Sequence, residues 1–577
     1  MWMADGGSVS RGELASPDSY MRVVRTAELA GHGNWYNDAI ARGNAPYGEL
    51  SHWTRPMDAL LLAGARAAQP FVGFDRALEG WAMAIGPVLH AATVLTLIWA
   101  VAPLMRTRAA WVGVLLPFQL LLGYQFVAGR ADHHGLVVLL VAGALGAILR
   151  SLRPGASLGW AALAGMISAL AAWAGMEGLA ALVIAAIAYS LIWLSDDAAI
   201  ARPAFMFFAT AAASLACAVL AERPPVIFFA EVYDAVSVAH VFAIAATASA
   251  WLACGLLSRF ADESALKRIV VFGFAAWAAA SATLHLYPSL IETGAVAIDT
   301  AASQLWLADL HPSHSMVDIH DLTPTGARLL MYLGPLLLAL PYLGYISKRE
   351  RVHPRRGWLL VAYALALTVP LAVSDLRWAP LAQMFLVVPY AALAGAAAEK
   401  LRPRSAVGAA FATAAAGLVL TCGFIAAGTK LAGASAGLSA PGTTESCDVR
   451  ALAQELERER PERTTVLTFI SYGPELLYRT PHAIVASPST RDVSGMLDTI
   501  DFFSADELPI AHEVVRRRGV DLVLVCPSAP EATAYRLEKP APSLLHRLEI
   551  GRPPYWLRKL PPRAFQTSGF IAYRVRK

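Results

Sequence analysis

Four ionisable residues stand together between two long apolar stretches of the sequence. Residues 128–136 read AGRADHHGL, which brings Arg130, Asp132, His133 and His134 into one short segment. Carboxylates and imidazoles hold divalent cations and move protons, and ionisable groups are costly in or near a bilayer. The alternative to such chemistry is an aspartate that caps a helix, followed by two interfacial histidines. The segment alone leaves both interpretations open.

Three other segments carry groups of similar chemistry. Asp18 follows a proline and precedes a predicted helix, where an acid also suits the helix N-terminus. Asp309 lies in SQLWLADLHPSHSMVDIHDL, whose histidine and aspartate spacings match no closed zinc site, so a solvated loop is the alternative. Arg377 lies in SDLRWAPLAQMF, where it could instead be an interfacial anchor beside Trp378.

The elements that must position these groups are membrane helices. Of the 577 residues, 56% are hydrophobic and 16% are charged, whereas soluble chains average about 25% charged residues. Runs of about 20 apolar residues are candidate membrane spans. Twelve such runs lie near 80–105, 109–127, 134–150, 157–173, 177–194, 203–221, 238–257, 269–287, 328–346, 357–373, 379–398 and 406–428. The sequence therefore predicts a polytopic α-helical membrane protein of about 12 spans.

The distribution of basic residues predicts the orientation of the chain. One set of alternate loops carries sixteen Lys and Arg residues, and the opposite set carries four. Because cytoplasmic loops are enriched in Lys and Arg, the segment 128–136, the loop 288–327 and the C-terminal tail are predicted on the outer face. For a bacterial inner membrane this is the periplasmic side. The sequence contains no nucleotide-binding glycine loop, and nothing in it supports nucleic-acid binding.

Four regions are predicted along the chain. Residues 1–79 form an N-terminal external loop with amphipathic helices, 80–428 a transmembrane domain, 429–447 a small-residue linker and 448–577 an external domain. In the last region the helical patterns DVRALAQELERER and ELPIAHEVVRRRG alternate with the apolar strands TTVLTFI, HAIVAS and VDLVLVCP. This alternation predicts a small α/β domain with a largely parallel sheet. Cys447 and Cys526 are external and could pair in an oxidising compartment.

Together these segments resemble the catalytic subunit of oligosaccharyltransferases, including the single-subunit bacterial and archaeal enzymes of the GT-C glycosyltransferase superfamily. The resemblance covers nearly the whole chain. PDSYMRVVR is similar to the family's first-loop aspartate motif, and DHH resembles the archaeal form of its second motif. WLADLHP occupies the place of a Thr/Ser-x-x-Glu segment, with Trp306 in place of the hydroxyl residue and Asp309 in place of the glutamate.

The resemblance implies a role for each matched residue. Asp18, Asp132, His134 and Asp309 would bind a divalent metal ion, Mg²⁺ or Mn²⁺. Asp18 and Asp309 would also be catalytic, with Asp18 facing the acceptor, and Arg377 would bind the donor phosphate. Transfer of a sugar from a polyprenyl phosphate or pyrophosphate leaves an anion, which a divalent cation and a bidentate arginine neutralise. A carboxylate beside the metal can orient or deprotonate the acceptor.

The external domain departs from the family pattern. The family carries WWDYG there, whereas this sequence has FISYG from Phe469 to Gly473. Since the motif's aspartate is missing, recognition of an Asn-x-Ser/Thr hydroxyl by this stretch is not expected. The implied function is a membrane glycosyltransferase that moves a sugar or oligosaccharide from a polyprenyl-(pyro)phosphate donor to a lipid, glycan or protein acceptor on the outer face.

Two alternative functions are a transporter or flippase of lipid-linked saccharides, and a non-catalytic oligosaccharyltransferase relative. A transporter places polar groups near the middle of the membrane, whereas the polar groups here cluster at its outer edge, and Glu177 is the acid that would intrude. The altered third motif and the altered WWDYG motif favour the non-catalytic relative.

The start of the sequence carries one further expectation. Twelve spans place both termini on the outer side, yet MWMADGGSVSRGELASPD has no apolar core that could serve as a signal sequence. The resembling family has thirteen spans, one of which precedes the aspartate that matches Asp18. We therefore expect the native protein to carry a first helix that this sequence lacks.

Overall fold

The computed structural model describes most of the chain. The described residues are 12–153, 155–195, 198–261, 264–290, 315–317, 322–350, 352–401, 405–435, 447–459, 462–489, 491, 493–538, 543–561, 565 and 567–576. Asp309 lies outside them.

Helices dominate the first three quarters of the chain. They are α1 (Pro17–His32), α2 (Arg55–Val72), α3 (Phe74–Met105), α4 (Ala110–Leu115), α5 (Leu120–Tyr124), α6 (His134–Ser151), α7 (Leu158–Ala174), α8 (Leu179–Ser195) and α9 (Ala201–Glu222). They continue with α10 (Val238–Leu256), α11 (Ser258–Ala261), α12 (Ala265–Leu286), α13 (Leu322–Leu333), α14 (Leu336–Arg349), α15 (Val352–Ser374), α16 (Ala379–Leu401) and α17 (Ala406–Ser435). Two short antiparallel strands, β1 (Ala39–Ile40) and β2 (Glu49–Leu50), lie between α1 and α2.

The chain is a multi-pass membrane protein, as the sequence predicts. Within the described ranges, eight helical segments are long and apolar enough to cross a membrane, or nine if the bent pair α13–α14 is one span. Three predicted spans account for the difference from twelve. The run 109–127 is broken around Pro117, which opens a 3₁₀ turn between α4 and α5. The run 157–173 is the 17-residue α7, which is shorter than the helices counted as spans. The run 406–428 lies within the 30-residue α17, which is not among the eight or nine segments.

Helix α1 lies between two hydrophobic cores. The core of the membrane helices includes Tyr20 and Val23, and the core of the C-terminal region includes Met21 and Val24. A helix with buried side chains on more than one face is an internal element rather than a surface helix. Residues that share α1 with Asp18 are therefore fixed by packing from both sides.

Buried ion pairs hold α1 against α2. Asp58 of α2 lies 2.9 Å from Arg22 and 3.2 Å from Arg25, and all three side chains are at most 2% exposed. Arg55, at the start of α2, lies 3.2 Å from the same carboxylate. Because an unpaired charge in such a place costs several kcal/mol, removal of Asp58 would leave three buried guanidinium groups without their shared partner.

The C-terminal region is an α/β domain, as predicted. Its helices are α18 (Val449–Glu459), α19 (Gly473–Arg479), α20 (Val493–Ser504), α21 (Leu508–Arg518), α22 (Pro530–Glu538) and α23 (Leu544–Glu549). Its strands are β3 (Thr465–Leu467), β4 (Ala483–Ile484), β5 (Leu522–Val525), β6 (Leu557–Lys559) and β7 (Ile571–Val575), in the order β4-β3-β5-β7-β6.

The sheet is mixed rather than largely parallel. The three strands that the sequence predicts, β3, β4 and β5, are parallel to one another. The remaining two, β6 and β7, form an antiparallel pair, and β7 is antiparallel to β5. No helix connects β6 to β7 within the described residues, and strands joined without a crossover helix run antiparallel.

Cys447 and Cys526 form a disulfide, which settles the pairing that the sequence left open. Cys447 stands just before α18, and Cys526 follows β5 in the middle of the sheet. The bond therefore ties the first residues of the external domain to its centre. Disulfides persist in oxidising compartments, which agrees with the predicted outward orientation of this domain.

Candidate active site

Asp18 lies in the first turn of α1 without serving as its cap. The hydroxyl of Ser16 accepts the backbone N–H of Ser19 at 3.2 Å and so caps the helix. Burial, and next the negative charge of Asp132, raise the pKa of Asp18, while neighbouring cations oppose the rise. The carboxylate of Asp18 is therefore not needed to start the helix, and it lies within electrostatic range of Asp132.

Two backbone contacts hold the segment before Asp132 against the start of α1. The hydroxyl of Ser19 accepts the N–H of Ala131 at 3.0 Å, and the N–H of Ala15 donates to the carbonyl of Gly129 at 3.0 Å. Gly129 has a φ of 81°, and a Cβ there would stand 2.9 Å from the carbonyl oxygen of Glu13. A glycine at this position thus allows the two acid-bearing segments to touch.

Asp132 is 1% exposed and has two charged neighbours. Its Oδ2 lies 2.8 Å from Nε of Arg130, and its Oδ1 lies 3.1 Å from Nδ1 of His134. Burial by itself would raise the pKa of Asp132, but Arg130 and then His134 outweigh burial and hold this pKa below its ordinary value. Asp132 Oδ1 also accepts the backbone N–H of His134 at 3.1 Å. The carboxylate is therefore ionised, and part of its role is to start α6.

Across the described ranges, one group of three side chains could hold a metal ion. It consists of His133, His134 and Glu177, and one potential ligand atom from each lies within 4.8 Å of the others. Glu177 belongs to a 3₁₀ turn, Met176–Gly178, between α7 and α8. The packing of α7 and α8 against α6 brings this acid to the histidines.

The absence of a side chain at Gly175 makes this approach possible. A Cβ at Gly175 would stand 2.6 Å from Cδ2 of His133 and 3.0 Å from Oε2 of Glu177. Nδ1 of His133 is buried and has no hydrogen-bond partner among the described residues. Two imidazoles and a carboxylate are a donor set that fits a divalent cation, and one of these imidazoles has a buried nitrogen without a partner among the described residues.

The structure brings some of the four ligands implied by the family resemblance close to one another. Asp132 and His134 are in contact, and Asp18 lies within electrostatic range of both. Among the described residues, the group that could hold a metal ion is His133, His134 and Glu177, and it does not include Asp18 or Asp132. Asp309 lies outside the described residues. A shared site of these four ligands stays a prediction.

Arg377 lies on the turn that precedes α16 and is held by a neighbouring acid. Its Nη2 lies 2.6 Å from Oδ2 of Asp375, whose Oδ1 accepts the backbone N–H of Arg377 at 2.9 Å. The Arg377 side chain is 64% exposed, so its guanidinium is accessible. Glu177 lies within electrostatic range of it. The phosphate-binding role of Arg377 stays a prediction.

The FISYG stretch forms a turn whose backbone is held by a distant acid. Ile470–Tyr472 is a 3₁₀ turn that leads into α19 at Gly473. Glu531 accepts the N–H of Ile470 at 2.9 Å and the N–H of Ser471 at 2.7 Å. Burial raises the pKa of Glu531 to about 7, although these hydrogen bonds oppose the rise. A carboxylate from α22 therefore caps the motif.

Helix α19 docks on the helix that carries Asp18. The hydroxyl of Tyr20 donates to Glu475 at 2.8 Å, and Nε of Arg479 donates to the same carboxylate at 2.6 Å. The rings of Tyr20 and Tyr478 lie 5.4 Å apart. The C-terminal domain thus contacts α1 two residues after Asp18.

Comparison with known proteins gives a match in structure. The sequence matches no protein-family model and no curated protein. Archaeal oligosaccharyltransferase AglB from Archaeoglobus fulgidus, solved with an inhibitory peptide and a dolichol-phosphate, superposes with a TM-score of 0.68 at 13% identity over 97% of this chain and 70% of that chain. The chain has the oligosaccharyltransferase-like GT-C fold.

Two other structures complete the comparison. The Archaeoglobus fulgidus oligosaccharyltransferase in complex with zinc and sulfate matches with a TM-score of 0.64 at 13% identity, over 97% of this chain and 69% of that chain. ArnT from Cupriavidus metallidurans, bound to undecaprenyl phosphate, gives a TM-score of 0.44 at 12% identity, over 97% and 94% of the two chains. At such identities the likeness to oligosaccharyltransferases establishes the fold.

Sequence reasoning did not assign a role to three residues described above, His133, Glu177 and Glu531. His133 carried a signal, because it stands between Asp132 and His134. Glu177 also carried one, as an acid at the edge of an apolar run. Glu531 carried none, since an acid in the first turn of a helix is ordinary, and its contact with Ile470 depends on tertiary packing.

Proposed function

We propose that this protein is a membrane glycosyltransferase that moves a sugar or oligosaccharide from a polyprenyl-(pyro)phosphate donor to an acceptor on the outer face of a bacterial inner membrane. The observation that carries the proposal is the hydrogen bond between Ser19 and Ala131, which joins the segments of Asp18 and Asp132 within the oligosaccharyltransferase-like fold. The dolichol-phosphate in the AglB structure supports a lipid-linked donor.

Asp18 is the proposed acceptor-facing carboxylate. It lies on a helix fixed by both cores, and Ser16 performs the capping that would otherwise occupy it. A carboxylate held in this way can orient the acceptor nucleophile and take up its proton as the glycosidic bond forms. Asp309 is the proposed second catalytic acid.

A divalent cation, Mg²⁺ or Mn²⁺, is proposed at Asp18, Asp132, His134 and Asp309. When bound, it supplies positive charge that stabilises the phosphate or pyrophosphate leaving group. Asp132 is held ionised by Arg130, which keeps a negative oxygen ligand in place. A structure of the same fold was solved in complex with zinc and sulfate, which supports a fold that can bind a divalent cation and an anion.

Arg377 is the proposed donor-binding cation. Its exposed guanidinium is tethered by Asp375, which limits the side-chain entropy lost on binding. A guanidinium can donate two parallel hydrogen bonds to one phosphate, whereas an ammonium group acts as a point charge. Arg377 would therefore fix both the position and the orientation of the departing phosphate.

The acceptor is proposed to be a lipid or glycan of the cell envelope rather than an Asn-x-Ser/Thr peptide. FISYG lacks the aspartate of the family motif, and Glu531 engages two of its backbone N–H groups. The proposal also includes protein acceptors that are not recognised through an Asn-x-Ser/Thr sequence. Profiling of envelope glycans and glycolipids by mass spectrometry in a deletion strain would identify the product that is lost.

A transfer assay tests the proposal. Purified protein in liposomes is supplied with radiolabelled polyprenyl-linked sugar and an envelope extract, with and without a chelator. We expect label to move to the acceptor, and we expect chelation, Asp132→Asn and Arg377→Ala to abolish this movement. Label that crosses the bilayer while still attached to its lipid would instead support a flippase. The absence of both transfer and crossing would support a non-catalytic scaffold.

A further inference from the structure

We propose that His133, His134 and Glu177 bind a divalent transition-metal ion, with His133 and Glu177 as ligands additional to those that the family resemblance implies. The proposal rests on the proposed function, because it specifies the cation of that same site. It names two residues that no motif comparison identifies.

The distances between the three side chains suit a single ion. Nε2 of His133 lies 4.0 Å from Oε2 of Glu177, and one potential ligand atom of each residue lies within 4.8 Å of the other two. Ligand atoms stand about 2.0–2.2 Å from zinc, so two ligands of one ion are at most about 4.4 Å apart. The His133–Glu177 pair already lies within this limit, and small side-chain rotations would bring in His134.

The orientation of His134 suits metal binding as well. Nδ1 of His134 faces Asp132 at 3.1 Å, and Asp132 is itself paired with Arg130 at 2.8 Å. Metal-binding histidines usually donate their other ring N–H to a carboxylate, which fixes the ring and raises its basicity. With Nδ1 engaged by Asp132, Nε2 is the nitrogen of His134 left for an ion.

The other two residues face each other without a direct hydrogen bond between them. Nδ1 of His133 is buried without a hydrogen bond among the described residues, and the 4.0 Å between its Nε2 and Oε2 of Glu177 is too long for a direct hydrogen bond. The side chains of His133 and Glu177 are 12% and 20% exposed. An imidazole nitrogen and a carboxylate oxygen that face each other at 4.0 Å without a direct hydrogen bond leave room for an ion that both can bind.

The donor atoms determine the class of ion. Two imidazole nitrogens with a carboxylate oxygen suit Mn²⁺, Co²⁺ or Zn²⁺, whereas Mg²⁺ prefers oxygen ligands and retains its water. Glu177 also lies within electrostatic range of Arg377. An ion bound by Glu177 would therefore lie near the proposed phosphate-binding guanidinium.

Cobalt binding tests the proposal without any measurement of activity. The full chain is purified in detergent, stripped with a chelator and titrated with Co²⁺, whose visible absorption reports nitrogen ligands, and Zn²⁺ is then added as a competitor. We expect one Co²⁺ per chain, displaced by Zn²⁺. His133→Ala and Glu177→Gln should each weaken binding by at least about tenfold. His512→Ala and Glu399→Gln, whose side chains lie in the external domain and at the far end of α16, are matched controls that should bind as wild type does.

The outcomes separate this proposal from the proposed function. If His133→Ala and Glu177→Gln bind Co²⁺ like wild type while Asp18→Asn and Asp132→Asn lose it, the inference is overturned and the family ligand set is retained. If Glu177-dependent Co²⁺ binding is found in a protein without transferase activity, the inference stands and the proposed function fails. Glu177→Asp, which keeps the charge, covers the case in which Glu177→Gln does not fold. A thermal shift with Mg²⁺ equal to that with Zn²⁺ would also contradict the proposal.

Discussion

The hydroxyl of Ser19 accepts the backbone N–H of Ala131 at 3.0 Å, and this is one of two hydrogen bonds described above that join the segment that carries Asp18 to the segment that carries Asp132. Both partners are fully buried. The two acids come from positions more than a hundred residues apart in the sequence, so their approach depends on contacts of this kind. The bond is therefore a structural determinant of the candidate active site.

Substitution of Ser19 by alanine tests this dependence. The Ala131 N–H would lose its partner in a buried place, at a cost of about 1–3 kcal/mol. We expect Ser19→Ala to lower the unfolding temperature and to reduce transfer activity beyond what the stability loss explains. The control is Ser249→Ala in α10, because Ser249 is exposed and, within the described part of the chain, bonds to a carbonyl of its own helix. Equal activity of the two variants would contradict the proposed role of the bond.

The sequence predicts most of the fold because the bilayer imposes simple rules. Runs of about 20 apolar residues are needed to span it, so most spans are visible in the sequence, whereas the break at Pro117 in the run 109–127 was missed. The three parallel strands are visible as short apolar runs, but β6 and β7 include Arg and Lys residues and gave no such signal.

The candidate site is predictable only where its residues are neighbours in sequence. Asp132 and His134 stand two positions apart, and their contact follows from the local start of α6. Glu177 reaches His133 only because α7 and α8 pack against α6. The contact also requires a residue without a side chain at Gly175, where a Cβ would meet both groups. Local patterns contain no information on such packing.

Arg377 provides a second prediction. Arg377→Lys keeps the positive charge but loses the planar fork that donates two hydrogen bonds to a phosphate. We expect a raised KM for the lipid-linked donor in Arg377→Lys and no detectable transfer in Arg377→Ala. Arg516→Lys, on the exposed face of α21, is the control for the same chemical change. Unchanged donor kinetics in Arg377→Ala would refute the assignment.

A third prediction concerns pH and Glu531. Burial raises the pKa of Glu531 to about 7 in the folded protein, above the ordinary glutamate value of 4.5. The folded state therefore binds its proton more tightly than the unfolded state, so the stability from this group is fully present below pH 4.5 and is lost as the pH rises through about 7. We expect the unfolding temperature of the external domain to fall between pH 5 and pH 8.

Glu531→Gln isolates the contribution of this carboxyl group. The amide stays neutral at every pH, so the fall in unfolding temperature between pH 5 and pH 8 should be smaller in the variant than in wild type. Glu513→Gln, an exposed position on α21, should keep the wild-type pH profile. Parallel profiles for wild type and Glu531→Gln would show that Glu531 does not titrate in this range.

The last prediction concerns Gly175, which bears no ligand atom yet limits the approach of two proposed ligands. A methyl group at this position would stand 2.6 Å from the His133 ring and 3.0 Å from the Glu177 carboxylate, and both distances are shorter than van der Waals contact. Overpacking of this kind costs about 1–3 kcal/mol, and the side chains must move apart to relieve it. Gly175→Ala should therefore weaken Co²⁺ binding even though every ligand is retained.

Gly344→Ala is the matched control, because among the described residues no atom beyond the helix's own backbone lies within 4 Å of a Cβ built at that position. Alanine there should leave Co²⁺ binding unchanged and stabilise α14 by about 0.5–1 kcal/mol, since glycine loses more conformational freedom than alanine when a helix forms. Gly175→Ala with wild-type Co²⁺ affinity would mean that His133 and Glu177 do not need their present separation. In that case His133 and Glu177 would not hold the ion together, and Asp132 and His134 would remain as its proposed ligands.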